Sequence, residues 1–155
     1  MRRALIALAA VLAVTPVLAG CGSKGSASST LTAAEWRREA NTICREIGPK
    51  IRAVRRPVAE TQILPFTAKV IPLWKSEEER LRALVPPSEL AIPAEEVADA
   101  LSEVNLSLLE IHIATQRNDG LRRYYAVRRL DTAGRGVRLR SRGLGLPACA
   151  AQRVR

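Results

Sequence analysis

Apolar residues spaced three and four apart run through most of this chain, and prolines cut the pattern into four stretches. Trp36, Ala40, Ile43, Ile47, Ile51 and Val54 form the first stripe. That spacing is the signature of an α-helix burying one face, and it leaves little room for a strand-built fold. Composition points the same way, since only 3% of the residues are aromatic and the long polar positions are mostly Arg and Glu, residues that suit helices better than sheets. Thr32-Ala33-Ala34-Glu35 has the form of a capping box, so a first helix is expected over residues 33–56, kinked or split at Gly48-Pro49 and ended by Pro57. Residues 58–84 carry Ile63, Phe66, Val70, Leu73, Trp74, Leu81 and Leu84. Pro65 and Pro72 each remove an amide donor there, and a regular second helix is expected only after Pro72. Glu77, Glu78 and Glu79, with Arg80 and Arg82, read as its solvated face, and Pro86-Pro87 stops it.

A third helix starts near Pro93 and carries Val97, Leu101, Val104, Leu108 and Ile111 to the turn signal Asn118-Asp119-Gly120. Leu121, Tyr124, Val127, Leu130, Ala133 and Val137 mark a fourth, reaching Arg142. Of the adjacent Tyr124 and Tyr125, one is expected to face the core. Gln152 to Arg155 is expected to fray. Four amphipathic segments with short connectors make an all-α fold, an antiparallel bundle over residues 32–155.

Before the bundle the chain has a different character. Met1-Arg2-Arg3 is followed by an apolar run from Ala4 to Val14 and then by Leu18-Ala19-Gly20-Cys21, the layout of a secretory signal peptide over residues 1–20. The run is too short for the roughly 20 residues a membrane-spanning helix needs. Leu18-Ala19-Gly20-Cys21 resembles the lipobox of bacterial lipoproteins. The resemblance implies cleavage before Cys21 and acylation of its thiol, with palmitate-type chains holding the mature protein on the extracytoplasmic face of the cell membrane. Ordinary secretion after Ala19 is the alternative. Residues 21–31 then serve as the lipidated cysteine and a flexible Gly/Ser linker.

With Cys21 consumed by lipid, Cys44 and Cys149 remain, in a compartment where disulfides persist, and they are expected to pair. The bridge would close a loop of about 100 residues, worth roughly 4 to 5 kcal/mol in the chain-entropy model. Two buried thiols or a redox-active pair are the alternatives. The lipobox, the linker, Trp36 with Ile43-Cys44, the Pro86-Pro87 break and Leu144-Gly145-Leu146-Pro147-Ala148-Cys149-Ala150 together resemble small extracytoplasmic helical lipoproteins of actinobacterial type. That resemblance carries a location and a disulfide, and no reaction.

No catalytic or metal-binding set emerges. His112 is the one histidine and lies between Ile111 and Ile113, with no Ser-His-Asp or Cys-His arrangement around it. Glu95, Glu96, Asp99, Glu103 and Glu110 lack the Glu-x-x-His partner of a bundle metal site and are expected to face solvent. No cofactor is expected, and the chain reads as a non-enzyme.

Charge supplies the hint of a partner. Between Lys24 and Gln116 there are 12 basic and 13 acidic residues, whereas from Arg117 onward 11 arginines face only Asp119 and Asp131. Arg122, Arg123, Arg128, Arg129, Arg135, Arg138, Arg140 and Arg142 form a candidate surface for anionic lipid, an acidic envelope polymer or an acidic protein; an Arg-rich solvated face is the alternative. Nucleic acid fits poorly with an exported, tethered protein. Two functions are open: a binding or interaction module of the cell envelope, or a structural accessory of an envelope complex with no small ligand. A pocket lined by Trp36, Trp74 and Tyr125 would favour the first and an exposed apolar patch the second.

Overall fold

The capping box forms as written: the Thr32 hydroxyl accepts from the Glu35 amide and the Glu35 carboxylate accepts from the Thr32 amide. The protein is described by a computed structural model over residues 31–152, so the leader, Cys21 and most of the linker lie outside the described residues. Five helices follow: α1 (Ala33–Ala53), α2 (Ile63–Ala83), α3 (Ala91–Gln116), α4 (Gly120–Gly143) and the single turn α5 (Pro147–Ala150). Short 3-10 turns at Glu60–Gln62 and Ser88–Leu90 lead into α2 and α3, and no strand occurs among the described residues. The all-α antiparallel bundle therefore holds, with α5 as an addition.

Prolines alter the expected helices less than the sequence suggests. Pro49 and Pro72 lie inside continuous helices, and both are exposed. Each lost amide leaves a carbonyl four residues earlier, Arg45 and Ala68, in residues that are themselves exposed, where water can satisfy it. Pro65 and Pro93 occupy the third position of α2 and α3, where no intrahelical donor is needed. The split of α1 and the late start of α2 are thus corrected: α2 is regular from Ile63.

The α3–α4 connection is built from three residues. The Asp119 amide donates to Ala114 O at 2.8 Å and the Asn118 amide to Thr115 O at 3.1 Å, with Asn118 at φ 53°, a Schellman stop. Asp119 then accepts from the Arg122 amide at 2.9 Å and starts α4. The same stop ends α4, with Gly145 at φ 78° and the Leu146 amide on Ser141 O.

Along the bundle α2 packs on α1 and α3, and α4 packs on α3. Between α4 and α1 the contact runs through α5. The core holds Trp36, Trp74, Val70, Leu101, Val104, Leu108, Val137 and Leu146, and the Trp36 indole donates to Leu84 O. Tyr124 and Tyr125 are both exposed, at 58% and 59%, and their rings meet edge to face at 5.5 Å. Neither enters the core, because Ala126 and Leu130 take the buried face of α4. No helix among the described residues is long and apolar enough to cross a membrane.

Candidate functional site

The single turn α5 packs against both α1 and α4. A cavity of about 600 Å³ opens elsewhere, where the first turns of α2 and α4 meet the second half of α3, within the size range of small-molecule sites. Ile63 and Phe66 of α2, Leu108 and Ile111 of α3, and Val127 and Leu130 of α4 form its walls. Arg56 and Arg123 line it as well. The Arg123 side chain is 19% exposed, and its guanidinium is paired with Glu60 on the α1–α2 connector at 2.5 Å. Its Nη1 is buried with no hydrogen-bond partner among the described residues. On the α2 wall the Thr67 hydroxyl reaches Ile63 O and lies 2.8 Å from His112 Nδ1, which accounts for the single histidine as a structural contact of α3 with α2.

At the α5 seam, polar groups fasten the residues after α4 to α1. Arg37 Nε donates to Leu144 O at 2.9 Å, and Asn41 accepts from the Ala148 amide at 3.0 Å while donating to Gly145 O at 3.3 Å. Cys44 and Cys149 form the expected disulfide across this seam. Glu77 of α2 is fully buried beside it, with Oε1 at 3.1 Å from Cys44 Sγ and accepting from Gln152 Nε2 at 2.8 Å. Burial pushes the Glu77 carboxyl up to about 7, opposed in part by the Gln152 hydrogen bond and the Arg80 charge. Cys44, Glu77 and Cys149 stand close enough to share an ion, but the bridge consumes both thiolates that a metal or an electrophile would need.

Two expectations are corrected here. Glu77 belongs to the core and not to a solvated face, and Gln152 is 3% exposed, so fraying does not begin there; residues 153–155 lie outside the described residues. Sequence reasoning missed Glu77, Asn41 and Gln152. A signal existed for the first, since Val70, Trp74, Glu77 and Leu81 are spaced four, three and four, which puts Glu77 on the apolar stripe.

The structure divides the candidate arginines of α4. Arg122 pairs with Glu110, whose carboxyl that hydrogen bond holds below the ordinary range. Arg123 faces Glu60, and Arg140 lies 4.0 Å from Glu96. Arg129 and Arg140 line an outer groove between α3 and α4 opposite Glu96, Asp99 and Glu103. Arg128 and Tyr125 also reach this groove. Arg135 donates to Thr132 Oγ1, and Arg138 is half-buried. Arg128, Arg135 and Arg142, spaced by seven, are exposed on one face.

Trp36 and Trp74 are core residues, whereas Tyr125 is exposed and lines the outer groove. Compared with known proteins, the chain matches no family model, no curated protein and no solved structure.

Proposed function

We propose that the chain is an extracytoplasmic lipoprotein, anchored to the cell membrane through acylated Cys21, whose bundle is a non-enzymatic binding module of the cell envelope. Its ligand site is the cavity lined by α2, α3 and α4. One observation carries this reading: six apolar side chains from three helices line an open cavity of about 600 Å³, with two arginines beside it. A well-formed apolar pocket with a few convergent polar groups is where a small ligand binds.

The test uses residues 21–155 carrying Cys21→Ser and produced without the leader, so that neither an acyl chain nor the apolar run holds the protein on a membrane. N-phenyl-1-naphthylamine, an uncharged dye that brightens in apolar surroundings, should bind at one equivalent. A Leu130→Trp substitution that fills the cavity should abolish the signal, while circular dichroism reports whether the bundle survives. Dye binding unchanged by a folded cavity-filling variant rejects the site. For the anchor, mass spectrometry of the N-terminal peptide should find a diacylglycerol thioether on Cys21, and an unmodified thiol rejects it.

A second reading, the envelope accessory, is favoured by the exposed Leu121, Tyr124 and Val127 at the cavity's edge. On that reading a partner protein covers this patch and the cavity binds no dye. The anionic-partner surface narrows to Arg128, Arg135 and Arg142, the exposed arginines that share one face of α4. Retention of the Cys21→Ser chain on anionic vesicles should fall with salt. Retention unaffected by changing all three to Gln removes that role.

A further inference from the structure

Arg123 is an expensive residue for the wall of an apolar cavity. A guanidinium buried against hydrocarbon needs an acceptor for each donor edge. Here one edge is taken by Glu60 and the other, at Nη1, is buried with no partner among the described residues. Glu60 is a loose counterion for such a position. Its side chain is 58% exposed, and it sits on the connector between α1 and α2, outside any long helix. A carboxylate entering from within the cavity would meet Arg123 with less of its own surface in water, where a charge-assisted bidentate pair is stronger. Arg56, on the same connector, adds a second positive charge beside the cavity.

Resting on the binding-module reading, we infer that the cavity takes a single-chain amphiphile with a carboxylate head, its hydrocarbon against Phe66, Ile111 and Val127 and its head on Arg123 in place of Glu60. Glu60 is then a stand-in for the ligand's own head group, present in the empty protein and displaced on binding. A carboxylate is the head that matches, because the group already seated on Arg123 is a carboxylate.

This arrangement gives substitutions of opposite sign. With the Cys21→Ser chain and displacement of N-phenyl-1-naphthylamine as the readout, dodecanoate should bind about tenfold more tightly than dodecanol, the increment of one charge-assisted hydrogen-bonded pair. Glu60→Gln should tighten dodecanoate several-fold and leave dodecanol unchanged, since it removes the competitor and nothing else. Arg123→Gln should erase the preference for the acid. Because Glu60 is mostly exposed, its variant folds even if that of Arg123 does not. Equal affinity for acid and alcohol, or Glu60→Gln without effect on dodecanoate, overturns the head-group inference and leaves the cavity reading standing. Failure of the dye and of both amphiphiles to bind overturns the cavity reading itself.

Discussion

Glu77 links stability to pH above the ordinary carboxylate range. Its folded value near 7 lies above the ordinary 4.5, so the folded state holds a proton that the unfolded state releases. Stability is therefore full below about pH 4.5, falls as pH rises toward 7, and levels off above it. Protons bind more to the native state in that window, which makes the slope of unfolding free energy against pH negative for this group. A shift of this size amounts to something on the order of 3 kcal/mol across the window. Glu77→Gln should flatten the profile and raise the midpoint of urea unfolding at pH 8, a region where the wild-type carboxylate is charged and buried. Equal pH slopes for the two proteins would refute it. The spacing of Glu77 among Val70, Trp74 and Leu81 places it on the buried stripe, but its partner Gln152 lies 75 residues away in a segment whose sequence reads as a loose tail. A local pattern finds the face of a helix, and it does not find which distant polar group completes it.

Among the elements, ends are more informative than interiors. Capping chemistry is local, and so the starts at Thr32 and Asp119 and the stop at Asn118 can be read directly from residue types. Proline reads less well, because the cost of a missing amide depends on whether the orphaned carbonyl reaches water, and only the packed structure says that Pro49 and Pro72 point outward. Asp119→Ala should lower stability by about 1 kcal/mol through loss of the cap on α4, measured as a shift in urea midpoint at constant slope. Asn118→Val should be more damaging, since a β-branched side chain is poorly accommodated at φ 53°, whereas Asn118→Gly should be close to neutral. If valine and glycine behave alike, the turn does not depend on that backbone conformation.

At the scale of the molecule, four helices and one bridge are legible in the chain, and the cavity is not. Its lining comes from the start of α2, the second half of α3 and the start of α4, with Arg56 and Pro57 of the connector, residues that only the packed bundle brings together and no periodicity encodes. Opening the Cys44–Cys149 bond in the Cys44→Ala, Cys149→Ala double variant should cost about 4 to 5 kcal/mol by the chain-entropy argument, read from Trp36 and Trp74 fluorescence during urea unfolding. A loss below about 1 kcal/mol would mean that the Arg37, Asn41 and Gln152 contacts hold α5 by themselves. The same bond also determines how the molecule carries mechanical load. Tension applied between its two ends enters α1, crosses from Cys44 to Cys149 and leaves through α5, so the chain between the two cysteines, a sequence separation of 105, feels almost none of it. At about 3.4 Å per residue, roughly 350 Å of chain is withheld from extension. The helices that enclose the cavity keep their shape under a pull that would unravel an uncrosslinked bundle.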